Sequence, residues 1–390
     1  MNETIQTATP NGAVTDVTTE RLVQLARSFR ALGTDETLRE RMVALCRAAE
    51  RHFGLSHGDV RETITGPIMD ALHAPGMILR KELSDGSIFD FSYKSKIARD
   101  FVLSPDPKPD HVWEPQTTRL VVSLARRARH AVIGGGYIGD HAVLVARAME
   151  SGGRCYAFEP NIESARLMRR NIANNRVTNL TVSELGLWNE DNGRLVMLGD
   201  DSHAHPVRAT DPGSAEQVVT IMLDSYAKTH GISKLDLLML DIEGGEQAAL
   251  EGAIGFLGRS NHDAPTVIFE IHRSYVDWSN GLERTPLLRL MTDVGYKVFA
   301  VRDFQSNVPM GDCLIELVPP DAVFLDGPPH GFNMLAVKDE RALDPTLFRI
   351  CRGKSPKLLL YKNPQLHHPT EWLTRLPEWL NPTTSHHHHP

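Results

Sequence analysis

The sequence predicts an α/β fold: a doubly wound, mainly parallel sheet, preceded by a helical N-terminal portion and a hairpin. Three observations carry this. From Ala131 onward, short apolar runs alternate with helical stretches, the pattern of βαβ units. "LDLLMLDI" (235–242) is apolar along most of its length, as a strand covered on both faces must be. "VIGGGYIGD" (132–140) sets a glycine-rich turn between a strand and a helix.

The elements follow in order. Residues 1–16 are polar and are expected to form a disordered tail. Leu22, Leu25, Ala26, Phe29 and Leu32 then recur at helical spacing, with Thr18 or Thr19 as cap and Gly33 as stop. Leu38, Met42, Leu45, Cys46, Ala49 and Phe53 make the apolar stripe of a second helix, and a third helical stretch runs from about Asp59 to Leu72. "MILRKELSDGSIFDFSY" (77–93) has the form of a hairpin, with Asp85-Gly86 at its turn. "SPDPKPD" (104–110) is proline-broken and reads as a linker. It separates the helical portion (17–110) from a main domain (111–338). A C-terminal arm (339–390) with Trp372 and Trp379 follows, and its histidines at 386–389 are set aside as a tail.

In the main domain a helix starts near Pro115, a residue suited to a first helical turn. Strand, helix, strand, helix then run through "AVI", "DHAVLVARAME", "RCYAFE" and "IESARLMRRNIANN". "NLTVSELGLW", "VVTIMLD" and "LDLLMLDI" read as strands, "EQAALEGAIGFL" as a helix, "TVIFEIH" as a strand and "PLLRLMTDVGY" as a helix. Late strands near "KVFAVRD" and "CLIELV" or "FNMLAV" complete the sheet. Ligands of such sheets bind beyond the carboxyl ends of the strands. That edge collects Gly134 to Gly139, Glu159, Asp241 and His272.

Composition excludes several classes. The 390 residues carry 42 Lys and Arg against 49 Asp and Glu, a net charge of -7, which leaves no broad basic footprint for nucleic acid. The four cysteines are far apart, so neither a disulfide framework nor a zinc cluster is indicated. No apolar run approaches the roughly 20 residues that cross a bilayer, and the polar N-terminus has no apolar core of a signal peptide. A cytoplasmic protein is expected, with no membrane partner.

Gly134, Gly136 and Gly139 satisfy G-x-G-x-x-G, a weak signal alone, since a tight turn without ligand gives the same pattern. Glu159 adds weight: it ends the next strand, where a carboxylate can accept hydrogen bonds from both ribose hydroxyls of a nucleotide. NAD and S-adenosylmethionine both satisfy that geometry, and a solvated strand-end acid is the plainer alternative.

"FEPNIESARLMRRNIANN", "LDSYAKTHGISKLDLLMLDIEGGEQAALEGA", "VIFEIH" and "DVGYKV" occur in this order. Together they resemble the FkbM family of S-adenosylmethionine-dependent methyltransferases, over roughly Trp113 to Val301. The resemblance implies a Rossmann-like methyltransferase domain that O-methylates a small-molecule hydroxyl, often of a sugar or natural product. It implies a cofactor site of Gly134, Gly135, Gly136, Tyr137, Gly139, Glu159, Asn161 and Asp241. Gly134 to Gly136 would lie against the cofactor's amino-acid end, and Gly139 would let the next helix pack. The segment after the third strand is the usual adenine contributor, which brings in Leu187 and Trp188, the backbone amides of their turn reading the base edge. Three positions depart from the family, one being Gly245 in place of a common Ala. Ile133 stands where an Asp usually ends the strand before the glycines, and Met239 where a Lys often precedes Asp241 by two. The lost acid would have steadied the methionine end, and the Tyr137 hydroxyl is the substitute at hand.

Methyl transfer from a sulfonium needs an in-line acceptor oxygen and a group to take its proton. His272, at a strand end, is the expected base. Asp241 is expected to orient the cofactor amine or the acceptor, and Glu243 to share the base role. Glu270, Asp241 and His272 could also hold a divalent cation, but no ligand spacing demands one, so no metal residue is assigned. Two other readings stay open: a nicotinamide-dependent oxidoreductase, from the glycine motif alone, and a non-catalytic nucleotide-binding homologue. The N-terminal helices and C-terminal arm are expected to shape the acceptor pocket or a homodimer interface.

Overall fold

The computed structural model describes residues 13–53, 60–198, 205–208, 217–325 and 330–357. The tail at 1–12, His203, Trp372, Trp379 and the rest of the arm beyond 357 lie outside these. The first helix, α1 (Ala13–Gly33), already includes Ala13 to Asp16, which the sequence reading gave to the tail. Then come α2 (Glu36–Phe53), a π turn at Arg61–Thr65 and α3 (Gly66–Leu72). The expected hairpin is β1 (Ile78–Glu82) and β2 (Ile88–Ser92), paired antiparallel. Gly86 takes φ +80° at its turn, and the Asp85 carboxylate accepts from the Ser87 amide.

After α4 (Lys96–Val102) and α5 (Pro115–Ala125) the alternation begins. It runs β3 (His130–Gly134), α6 (Asp140–Ala148), β4 (Arg154–Phe158), α7 (Ile162–Asn174) and β5 (Leu180–Ser183). A lateral sheet interrupts it: β6 (Gly186–Leu187), β7 (Arg194–Leu198), β8 (His205–Arg208) and β9 (Gln217–Ile221). The chain then returns through α8 (Leu223–Thr229), β10 (Leu237–Leu240), α9 (Glu246–Glu251), α10 (Ile254–Leu257) and β11 (Thr266–His272). The last elements are α11 (Pro286–Asp293), β12 (Lys297–Val301), β13 (Ile315–Val318), β14 (Gly331–Val337) and β15 (Phe348–Ile350).

The main sheet has nine strands in the order β15-β13-β12-β14-β11-β10-β3-β4-β5. From β11 through β5 the pairing is parallel, and β14 enters antiparallel between β11 and β12. One apolar layer covers one face through α5, α6 and Met168 of α7, and another covers the other face through α8, α9 and α11. With both faces dry, β10 is buried at every position, which is why its sequence does not alternate. This is a Rossmann-like, doubly wound α/β fold.

Three expectations change. "NLTVSELGLW" is two strands in two sheets, because the chain leaves the main sheet after Ser183 and β6 pairs with β9. "VVTIMLD" correspondingly supplies β9 of the lateral sheet, not a central strand. The helix after Asp241 breaks at Gly252, where a Cβ would lie 1.9 Å from the Trp188 carbonyl oxygen. Of the late segments, all three are strands of the main sheet.

The hairpin is tied to the main domain by the asparagines of α7. Asn171 bonds the Asp90 amide and carbonyl and the Ile138 carbonyl, Asn174 bonds the Asp90 carboxylate, and Asn175 bonds the Ile88 amide and carbonyl. Among the described residues no helix is long and apolar enough to cross a membrane.

Candidate active site

A cleft of about 330 Å³ opens at the carboxyl ends of β3, β4, β10 and β11, a size within the range of small-molecule sites. Gly134, Gly135, Tyr137, Glu159, Asn161, Leu187, Trp188, Asp241, Glu243 and His272 all line it. The topology thus brings together what the sequence scatters over 139 positions, from 134 to 272.

The glycine turn is built by close approach on both sides. Gly135 takes φ +77°, and a Cβ there would lie 1.7 Å from the Asp241 carbonyl oxygen, so β10 and the turn can meet only over a glycine. Gly136 and Gly139 have another task. Side chains there would strike Met168 of α7, and the Gly136 amide donates to the Phe158 carbonyl. Both glycines thus make room for α7, and neither lines the cleft.

Glu159 is 8% exposed, and both its oxygens are oriented by backbone: one accepts from the Tyr137 amide at 2.7 Å, the other from the Asn161 amide at 2.8 Å. Tyr137 holds φ +42° there, a conformation that non-glycine residues seldom adopt. Its hydroxyl lies 3.5 Å from Ser95 Oγ. The Asn161 side chain caps α7 by accepting from the Ser164 amide. At the adenine end, the Trp188 amide donates to the Ile221 carbonyl at 3.0 Å and is committed to the ladder. The Leu187 and Trp188 side chains, not the Trp188 amide, face the cleft. The indole Nε1 is buried without a partner, a donor open to a ligand acceptor.

Ile133 does not line the cleft. It is 1% exposed, within the layer under α5 and α6, and its register partner on β10 is Met239, equally buried. Two of the departures from the family pattern therefore stand side by side on adjacent strands, as a buried apolar pair. Well-packed apolar groups are often as stable as a buried ion pair, or more so, so these departures bear on the core and not on the cleft.

The floor of the cleft is acidic. Asp241 follows β10, Glu243 stands in the next turn at φ +52°, and Glu270 comes from β11. One oxygen of each lies within 4.8 Å of the others. Burial, then Glu243 and Glu246, push the Asp241 carboxyl well above the usual carboxylate range. Burial, then Asp241 and Glu243, do the same to Glu270. Glu246 fixes the turn by accepting from the Ile242 and Gly244 amides, and burial raises it to about 7. Tyr275 donates its hydroxyl to Glu243 at 3.4 Å.

His272 is oriented against its expected role. Its Nδ1 accepts from the Ser274 amide at 3.0 Å. A neutral ring then carries its proton on Nε2 and offers a donor, not a base.

Among the cleft residues that sequence reasoning missed are Lys96, Trp113, Glu114 and Asp140. Glu114 is 4% exposed at φ +48°, accepts from Asn333 Nδ2 at 2.7 Å, and is raised by burial, then by Asp303 and Asp241. The only sequence hint was its place directly before the helix-opening Pro115.

Residues 134–298 match the family model described as methyltransferase FkbM domain. This stretch is similar to an FkbM methyltransferase domain. It runs from the end of β3 into β12 and holds every expected site residue. No curated protein matches the chain. Solved structures similar to it include a putative O-methyltransferase from Klebsiella pneumoniae, 15% identical, covering 58% of this chain and 80% of that one at a TM-score of 0.33. An O-methyltransferase from Bacillus cereus in complex with SAH is 16% identical, with 57% and 78% covered at 0.31. TomG, an O-methyltransferase from Streptomyces achromogenes, is 12% identical, with 57% and 80% covered at 0.29. At that level of likeness they bear on neither acceptor nor mechanism.

The cleft fits S-adenosylmethionine better than a dinucleotide. Glu114, Asp140, Glu159, Asp241, Glu243 and Glu270 line it, with Lys96 as the ammonium among them. Burial holds Glu114, Asp241 and Glu270 toward the neutral form, and a sulfonium or α-ammonium beside them would favour their ionised form, whereas a pyrophosphate would not. Asp140 opens α6, so a carboxylate occupies the helix N-terminus where a pyrophosphate would sit.

Proposed function

We propose that the protein methylates a hydroxyl of a sugar or natural-product small molecule, with S-adenosylmethionine as donor. The acid-lined cleft carries the reading, since it selects a cationic cofactor on a glycine turn that by itself would suit either nucleotide. Glu159, at the end of β4, would accept from the ribose hydroxyls. Gly134 and Gly135 would lie against the amino-acid end, and Leu187 and Trp188 beside the base. When bound, the cofactor supplies a methyl group activated on sulfur. The protein's own part is to hold the acceptor oxygen in line and to receive its proton.

Asp241 and Glu243 are the proton acceptors this geometry favours, because His272 presents a donor. A carboxylate whose affinity for protons is raised by burial is the stronger base once ionised. His272 would instead donate to an oxygen of the acceptor.

Calorimetry with S-adenosylhomocysteine and NAD tests the cofactor. We expect binding of the first and not of the second, and Glu159→Ala should weaken it by about 1–3 kcal/mol, the cost of a lost charged acceptor. Binding of NAD alone would return the protein to the oxidoreductases. Retained S-adenosylhomocysteine binding, with no methyl transfer across a broad panel of hydroxyl acceptors, would mark a non-catalytic homologue.

A further inference from the structure

We propose that Asp241, Glu243 and Glu270 form a binding site for one hard divalent cation of the Mg²⁺, Mn²⁺ or Ca²⁺ class. The site lies on the floor of the methyltransferase cleft and rests on that reading for its role, though not for its existence. Its geometry is the first support. One oxygen from each side chain lies within 4.8 Å of the other two. Oxygens on opposite sides of such an ion stand about 4–5 Å apart, given metal–oxygen distances of about 2.0–2.6 Å. The set is all carboxylate, which suits these cations over softer metals.

The second support is Glu270 itself. It is 8% exposed, its Oε2 is buried without a hydrogen-bond partner, and it reaches the pair that follows β10 from a different strand. Neither it nor Asp241 has a cationic side chain beside it among the described residues; the groups around them are acids. Buried charges are ordinarily paired or bound to metal. A carboxylate that shares a strand with apolar core residues, and is left unpaired there, is explained by an ion. The ligand set differs from the one the sequence suggested: Glu243 takes the place of His272, whose Nδ1 is committed to Ser274.

With the ion present, Asp241 and Glu243 serve as ligands. An acceptor hydroxyl that joins them would be both fixed in place and made more acidic, which eases transfer of its proton to Asp241 or Glu243.

The test is a titration of chelator-treated full-length protein with Mn²⁺, followed by electron paramagnetic resonance without cofactor or acceptor. One bound Mn²⁺ is expected, with affinity lowered at least tenfold in Glu270→Gln and in Glu243→Gln, and kept in Glu340→Gln, whose partner is the distant Lys297. Glu243 is only partly buried, so its variant stands in if Glu270→Gln does not fold. Equal affinity in all variants, or no binding up to millimolar Mn²⁺, overturns the proposal. Calorimetry with S-adenosylhomocysteine on the same metal-free protein keeps the two readings apart: Mn²⁺ bound without it upholds the ion and removes the cofactor assignment.

Discussion

Ile133 and Met239 show how much a single position depends on its neighbour. Each looks like a defect in a family motif when read along the chain. Side by side on β3 and β10 they are a matched apolar pair. Ile133→Asp and Met239→Lys should each destabilise the protein by about 3–5 kcal/mol, the cost of an unpaired buried charge. The double variant should recover part of that loss in a denaturant cycle, and strictly additive costs would contradict the pairing. His272 makes a second case. Because its Nδ1 accepts from Ser274, His272→Asn should lower kcat by a factor on the order of ten, as for a lost hydrogen bond. The acid limb of the kcat–pH profile should remain. Disappearance of that limb would restore the imidazole as base.

Among the elements, the hairpin carries a buried amine. Lys81 on β1 donates to the Phe101 carbonyl and to Ser104 Oγ, and its ammonium lies 5.0 Å from the Phe101 ring centroid. Burial, with Arg47 as a further positive neighbour, pushes Lys81 down to about 6 from an ordinary 10.5. A depressed lysine means the unfolded chain binds more protons than the folded one between those values. Stability therefore rises with pH from about 6 toward 10 and is lower below about 6. Lys81→Met should flatten that rise in thermal melts across the same window. An unchanged slope would show that the amine is solvated in the folded protein. The lateral sheet is the other element of consequence. It diverts the chain after β5 and sets Leu187 and Trp188, at the end of β6, against the cleft.

For the whole molecule, the cleft is shared between its parts. Lys96 and Ile97 of α4, together with Trp113 and Glu114 ahead of α5, line the same space as the glycine turn. Lys96 and Ile97 thus bring the N-terminal portion to the cleft. Lys96→Ala and Trp113→Ala should raise KM for the acceptor while S-adenosylhomocysteine affinity stays within about twofold, a difference of roughly 0.4 kcal/mol. An equal loss of both would place these residues at the cofactor instead.

The sequence by itself determined the layered α/β fold, because alternation of short apolar runs with helical stripes is a local signal. It also determined the glycine turn and Glu159, whose spacing reflects one strand and one helix. It reached Asp241 and Glu243 through a contiguous motif. Only the tertiary structure decided the rest. Gly136 serves Met168 across the helix interface, and that contact is 32 positions away along the chain. The Trp188 amide is committed to Ile221 of another strand, and the role of His272 turns on the Ser274 amide, a matter of ring orientation that residue identity does not encode. The Glu270 carboxylate joins those of Asp241 and Glu243 because β10 and β11 lie parallel in a register that pairs Leu240 with Phe269, the residues just before Asp241 and Glu270. The sequence already set Asp241 and Glu270 at one edge of the sheet, but which third side chain joins them, Glu243 and not His272, depends on turn and ring orientation that residue identity does not encode.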